Sequence, residues 1–69
     1  MNLYDIGYCL RQAQADTGVT SAEIAQRMDV KPQQVSRWRA TSNMKFHTLL
    51  HLCDALEMDL EEFLTYGGS

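Results

Sequence analysis

The chain has 69 residues, of which 45% are apolar and 22% are charged, and its formal net charge at pH 7 is −3. A chain this short forms one domain around one core, and its composition excludes an intrinsically disordered protein. No apolar stretch approaches the roughly 18 residues of a membrane span, and the N-terminus lacks signal-peptide features. We therefore expect a soluble, cytoplasmic protein.

The first helix is predicted to begin after Asn2, whose side chain can cap the free backbone N–H groups, and to end at Gly18. Its apolar residues at helical spacing are Leu3, Ile6, Leu10 and Ala13. A second helix of about two turns opens with a capping box formed by Thr20 and Glu23. We expect it to bury Ile24, Ala25 and Met28.

The third helix is predicted to start at Pro32, which suits a first helical turn, and to end near Ala40. After a loop at 41–43, a fourth helix has an apolar stripe of Phe46, Leu49, Leu50, Cys53 and Leu56. A short fifth helix follows the cap-like pair Asp59 and Glu62. All five segments have the helical period and none alternates like a strand, so the fold class is all-α.

The cysteines and histidines do not predict a metal centre. Cys9 and Cys53 are far apart in the sequence and are expected to be small buried side chains in a reducing compartment. His47 and His51 lie one helical turn apart with Asp54 nearby, but no fourth ligand and no metalloprotease glutamate accompany them. We predict no metal, no cofactor and no enzymatic activity.

The charges are unevenly distributed along the chain. The segment from Arg27 to His51 has five Lys or Arg residues and one acid, whereas the segment from Leu52 onward has five acids and no Lys or Arg. A negative total argues against a DNA-binding protein, since such proteins usually carry a basic surface. The local excess of positive charge nevertheless keeps nucleic acid among the candidate partners.

Successive residues of the third helix are 100° apart around its axis, so the residues on each of its sides follow from the sequence. Val35 and Trp38 point to one side and are expected to anchor the helix on the bundle. The opposite side lacks acids and carries Gln33, Ser36 and Arg37, with Gln34 on its flank. Such a face is either an ordinary solvated surface or a reader of the major groove, where Arg pairs with guanine and Gln with adenine.

The segment VTSAEIAQRMDVKPQQVSRW, residues 19–38, resembles the helix-turn-helix of the phage repressor and Cro family, also called the xenobiotic-response-element family. The resemblance continues through LLHLCDALEMDLEEFL, residues 49–64. It implies a five-helix lambda-repressor-like bundle in which helices 2 and 3 form the helix-turn-helix. It also implies base contacts by Gln33, Gln34 and Arg37, to which the helix geometry adds Ser36.

Phosphate contacts are expected from polar and basic residues around the helix starts and the loop. These candidates are Ser21, Lys31, Arg39, Ser42, Asn43 and Lys45. The chain departs from the family in three places. Asp29 stands where the turn usually has glycine, Ser21 where a glutamine is common, and Arg39-Ala40-Thr41 where Glu-Asn-Gly is common, with a loop about one residue shorter.

These observations predict a single domain over residues 1–66, a flexible tail at 67–69, and a sequence-specific transcriptional regulator. We expect a repressor of phage or bacterial origin that binds an operator in double-stranded DNA as a homodimer. Its dimer interface would use Tyr4 and Tyr8, or the region of Phe63 and Tyr66. The alternative is a helix-turn-helix turned protein-interaction module, such as an antirepressor or a regulatory subunit, without DNA binding of its own.

Overall fold

A computed structural model describes residues 5–41 and 43–67. Within them the chain forms five helices: α1 Ile6–Thr17, α2 Ser21–Met28, α3 Pro32–Arg39, α4 Phe46–Ala55 and α5 Leu60–Thr65. Helix is the only regular secondary structure of these two segments, and the all-α five-helix prediction is confirmed. None of their helices is long and apolar enough to cross a membrane.

Helix α1 starts later than the sequence predicted. The cap is Asp5, whose carboxylate accepts a hydrogen bond from the Tyr8 backbone N–H at 3.1 Å, while Asn2 lies outside the described residues. The Gly7 N–H, which would otherwise lack a partner, donates to the Thr41 carbonyl at 2.7 Å. The predicted start after Asn2 is wrong. The capping residue is Asp5, three residues further on, and the hydrogen bond from Gly7 to Thr41 fixes the start of the helix there.

The boundaries of α2 agree with the sequence prediction. The Thr20 hydroxyl accepts from the Glu23 N–H at 3.1 Å, and the Glu23 carboxylate accepts from the Thr20 N–H at 3.0 Å. This backbone hydrogen bond lowers the pKa of Glu23 below its ordinary value. Gly18 before the helix and Asp29 after it both have a left-handed backbone, with φ of 78° and 57°, which glycine adopts freely and aspartate tolerates.

The core is formed by thirteen buried apolar residues from all five helices: Ile6, Cys9, Leu10, Ala13, Ile24, Ala25, Val35, Leu49, Leu52, Cys53, Ala55, Leu56 and Phe63. Cys9 and Cys53 are free thiols inside it, as predicted. Burial raises the pKa of both thiols, that of Cys53 to about 11, so both are protonated at neutral pH. Trp38 and Met28 are half-buried and pack against this core.

Helix α4 is rotated relative to its predicted orientation. Phe46 and Leu50, which the sequence placed in the apolar stripe, are 63% and 42% exposed. Leu52, which was not in that stripe, is fully buried with Leu49 and Leu56. The prediction for Phe46 and Leu50 is wrong because α4 has apolar residues around more than half of its circumference. Periodicity alone therefore cannot choose the buried side.

Helix α5 closes the bundle with Phe63, whose side chain is fully buried. The prediction that Phe63 lies at a protein interface is therefore wrong, since the side chain completes the core instead. Tyr66 is half-buried, and its hydroxyl donates to the Asp16 carboxylate at 2.6 Å. Asp59 occupies the N-cap position with an extended backbone but makes no side-chain capping hydrogen bond, contrary to the cap-like pattern of the sequence.

Gly67 lies against α1. A Cβ at this position would come within 2.5 Å of the Cys9 sulphur, so the contact requires a glycine. The predicted flexible tail included Gly67, but this residue packs on the helical bundle and is half-buried. The remaining predicted tail residues, Gly68 and Ser69, lie outside the described part of the chain.

Candidate nucleic-acid interface

Helices α2 and α3 form the predicted helix-turn-helix. Asp29 ends α2 with a left-handed backbone, and the chain turns there toward α3. The Val30 N–H donates to the Ala25 carbonyl at 2.9 Å and stabilises this turn. Val35 is fully buried and Trp38 packs on the core, so these two side chains anchor α3 as expected. The anchoring fixes which side of α3 remains outside.

The outer side of α3 is polar and accessible. Gln33, Ser36 and Arg37 are exposed, and Gln34 is half-buried on the flank. Gln33, Gln34 and Arg37 border a shallow depression together with Val30 and Lys31. Hydrogen-bond donors and acceptors of the kind that pair with base edges are therefore gathered on one helix face, as predicted.

Three basic side chains lie on this face or at the starts of α3 and α4: Arg37, Lys31 and Lys45. All three are exposed, and within residues 5–41 and 43–67 no carboxylate lies within 4.0 Å of their charged nitrogens. Lys31 and Lys45 occupy the N-cap positions of α3 and α4, and neither helix start receives a side-chain capping hydrogen bond. Such helix starts present backbone N–H groups and a positive dipole end, which favour an anion.

Two other arginines of the basic segment bond to oxygen atoms of the protein itself. The Arg39 guanidinium is half-buried and donates to the side-chain oxygen of Gln14, while the Arg39 carbonyl accepts from Arg11. Arg27 donates to the Ala55 carbonyl at 2.6 Å and so satisfies the C-terminal end of α4. Arg39, predicted as a phosphate contact, instead joins α3 to α1.

Gln14 connects three helices, and sequence reasoning missed it. Its side chain is 8% exposed; its amide nitrogen donates to the Val19 carbonyl at 3.1 Å and to the Ser21 hydroxyl at 3.3 Å, and its oxygen accepts from Arg39. The available signal was its position one turn after Leu10, on the apolar side of α1. The predicted phosphate contact Ser21 thus has its oxygen engaged, although its hydroxyl hydrogen can still be donated.

The loop before α4 holds the remaining predicted phosphate contacts. Asn43 is exposed, its backbone carbonyl accepts from the Thr41 hydroxyl at 3.0 Å, and its side-chain oxygen accepts from the Met44 N–H at 3.1 Å. The loop thus folds over itself ahead of Lys45. Ser42 lies outside the described residues.

The two histidines lie together at the edge of this region. His47 and His51 are exposed, and their rings meet edge to face with centroids 5.0 Å apart. No group of three or more metal-ligating side chains comes together in the described residues, so Asp54 does not complete a metal site with the pair.

A family model of the Cro/C1-type HTH DNA-binding domain matches residues 10–67. The chain belongs to this family. Among solved structures, this Cro/C1-type domain is similar to the clp gene regulator ClgR from C. glutamicum, at 28% identity and a TM-score of 0.78, covering 93% of this chain and 83% of that chain. A comparison with curated proteins gives no match.

The match confirms the resemblance, the lambda-repressor-like fold and the DNA-binding regulator predicted from the sequence. The matched family is one of DNA-binding, non-enzymatic regulators, which supports DNA binding through the helix-turn-helix. In this Cro/C1-type domain the exposed large apolar side chains of the described residues are Tyr8, Phe46 and Leu50. Tyr4, the other tyrosine of the predicted interface, lies outside those residues.

Proposed function

We propose that this Cro/C1-type domain recognises a specific operator by placing the outer side of α3 in the major groove. The observation that carries the proposal is the division of α3: Val35 and Trp38 face the bundle, whereas Gln33 and Arg37 face solvent. Arg37 would pair with guanine and Gln33 with adenine. Ser36 and Gln34, on either side of these two, complete the proposed base-contacting set.

The DNA backbone would be held on both sides of this reading face. Lys31 and Lys45 begin α3 and α4 with exposed charges and open helix starts, which supports phosphate contacts at both positions. Asn43 and Ser21 would add neutral hydrogen bonds, and Ser42 remains a prediction from the sequence. Arg39 is not in the proposed set because its guanidinium is bonded to Gln14.

We infer that the protein acts as a repressor by occupying its operator, in a phage or bacterial setting. The small domain offers a DNA-reading surface, and the similar ClgR structure is that of a bacterial gene regulator. Occupancy of an operator needs only binding, which a domain of this size can provide. A reporter gene whose promoter overlaps the selected operator tests this role, since a repressor lowers its expression and an activator raises it.

We also propose that two copies bind together on DNA. A single module reads only a few base pairs, and paired half-sites about 34–36 Å apart give useful specificity. Tyr8 supports an interface, since it is a large aromatic side chain that is 43% exposed. Phe46 and Leu50 offer a second exposed apolar surface. Tyr8→Ala and Phe46→Ala, compared by sedimentation with and without operator, distinguish these surfaces.

A selection from a random duplex library followed by titration at several salt concentrations tests the function. We expect a preferred sequence whose affinity falls steeply with salt, because bound phosphates release counterions. Arg37→Ala should lose about 1–3 kcal/mol of binding free energy and relax the preference at one base position. Lys45→Ala should weaken all sequences alike and flatten the salt slope by about 1.

The matched control is Gln12→Ala, an exposed glutamine of α1, against Gln33→Ala on α3. Only Gln33→Ala should change the selected sequence. An Arg37→Ala variant that keeps the full preference at every position would contradict the proposed reading face.

A further inference from the structure

The chain contains two histidines, and both lie on the same exposed side of α4. His47 and His51 are one turn apart, and their ring centroids are separated by 5.0 Å. With Thr48 they form one wall of a depression whose other wall includes Trp38. The imidazoles therefore face the flank of α3.

This depression adjoins the proposed reading face. Val30 borders it and also borders the neighbouring depression that is lined by Lys31, Gln33 and Arg37. The two surfaces thus share one residue as a common edge. If DNA binds α3 as proposed, we expect its sugar-phosphate backbone to pass near this edge and the first turns of α4.

The surroundings of the histidine pair are nearly without charge. Its depression is otherwise lined by Met28, Val30, Trp38 and Thr48, all of them uncharged. The charged residues on α2, α3 and α5 are Glu23, Arg27, Arg37, Arg39, Glu61 and Glu62, and none of these lines the depression. In the turn between α2 and α3, Asp29 and Lys31 are exposed neighbours of the lining residue Val30, but they are not among the lining residues.

On α4 itself, Lys45 precedes the pair as the N-cap and Asp54 follows His51 by three residues. Within the part of the chain that the structure describes, no carboxylate lies within 4.0 Å of either imidazole. The two imidazoles are thus not engaged in an ion pair with the described part of the protein and are accessible to an anionic ligand.

We propose that His47 and His51 form a pH-responsive phosphate-binding element beside the reading face; this inference rests on the proposed function. Imidazole is the side chain that ordinarily gains its charge between about pH 8 and 5. Phosphate favours the charged form, so DNA binding takes up protons. By linkage, DNA affinity must then rise as the pH falls.

Few other groups can produce this effect. The pKa of the Cys9 and Cys53 thiols is raised by burial, so these thiols stay protonated throughout the range. The α-amino group is the remaining titrating group of this range. A His47→Gln, His51→Gln double variant keeps that group and removes both imidazoles, which makes it the matched control.

The test measures affinity for the selected operator against salt at about pH 6 and pH 8. For each imidazolium that pairs with a phosphate, the slope of log affinity on log salt should be steeper by about 0.9 at the lower pH. At physiological salt this corresponds to a gain of about fivefold in affinity. The double Gln variant should show one slope at both pH values, and His47→Lys should keep a steep slope at pH 8.

Circular dichroism at both pH values checks that each variant is folded. Equal wild-type slopes at the two pH values would overturn the inference while leaving sequence-specific binding intact. A full pH effect retained by the double Gln variant would overturn it as well. Absence of sequence-specific binding at every pH would instead overturn the proposed function, and the inference with it.

Discussion

Arg37 and Arg39 lie two residues apart on α3, yet they belong to different parts of the molecule. Arg37 is exposed beside Gln33, with no carboxylate within 4.0 Å among the described residues. Arg39 is half-buried and bonded to Gln14. Two residues span 200° of an α-helix, so one guanidinium faces solvent while the other faces the bundle.

The difference between Arg37 and Arg39 shows that fewer basic residues are available to DNA than the sequence of the segment suggests. Arg27 and Arg39 satisfy oxygens of the protein's own helices, at Ala55 and Gln14. Lys31, Arg37 and Lys45 remain exposed. A chain with net negative charge can thus carry a locally positive surface at α3, because charges act within about 8–10 Å in salt solution.

The largest expected contrast lies across α3 itself. Trp38→Ala should lower the free energy of unfolding by about 3 kcal/mol, because it removes a large side chain that packs on the core. Gln33→Ala, on the outer side, should change it by less than about 0.5 kcal/mol. Urea denaturation of both variants measures the difference. Equal stabilities would mean that α3 is not anchored through its tryptophan.

The arginine pair gives the next contrast. Arg39→Ala should cost about 1–3 kcal/mol of stability, because it leaves the buried oxygen of Gln14 without its partner. Arg37→Ala should leave stability within about 0.5 kcal/mol and weaken DNA binding instead.

A double variant, Gln14→Met with Arg39→Met, sharpens this contrast. Removing both partners together should cost less than the sum of the single changes, since neither polar group is then left unpaired. Additive losses in thermal or urea unfolding would show that the two side chains do not stabilise each other.

The helix starts allow a smaller contrast. Thr20→Ala should cost about 1 kcal/mol because it opens the capping box of α2. Lys31→Ala should cost almost nothing in stability, since Lys31 makes no side-chain capping hydrogen bond at α3. An equal loss of stability from both substitutions would contradict the distinction between α2, whose start has a side-chain cap, and α3, whose start has none.

The same capping box predicts a pH dependence. Because the pKa of Glu23 is lowered in the folded protein, its contribution to stability is present above the ordinary glutamate pKa. The contribution is lost as the pH falls through the lowered value, in the range below about pH 4. Melting temperatures of the wild type and Glu23→Gln should therefore differ at neutral pH and converge in acid. A constant difference would rule out this linkage.

The smallest effect concerns the left-handed residues. Glu57 has φ of 60° at the end of α4, a conformation that favours glycine. Glu57→Gly should raise the free energy of unfolding by about 0.5 kcal/mol, after the entropy cost of glycine is subtracted. Asp29→Gly, in the turn before the reading helix, should gain less, because aspartate tolerates this conformation better. A destabilised Glu57→Gly would mean that this backbone carries no strain.

Signals within a few residues of each other were predicted well from the sequence. The capping box of Thr20 and Glu23, the left-handed Gly18 and Asp29, and Pro32 at the start of α3 all form as expected. Each depends on hydrogen bonds or steric limits between near neighbours. Short sequence motifs of this kind also gave the resemblance to the family, which the match of the family model confirms.

Signals that depend on distant partners were predicted less well. Phe46 and Leu50 were expected inside and are exposed, while Phe63 was expected at an interface and is buried. The Gln14 network joins α1 to α2 and α3 across up to 25 residues of sequence. No pattern within one helix contains the information that selects these partners.

The sequence by itself determined the five helices, most of their ends and which side of α3 is polar, because these follow from propensity, capping and periodicity along a short stretch of chain. The start of α1 is the exception. Only the tertiary structure decided which of the basic residues bond to the protein's own oxygens and which side of the apolar α4 is buried. It also brought the histidine pair beside the proposed reading face. These outcomes depend on how five helices fill one core, and packing is a property of the whole chain rather than of any segment.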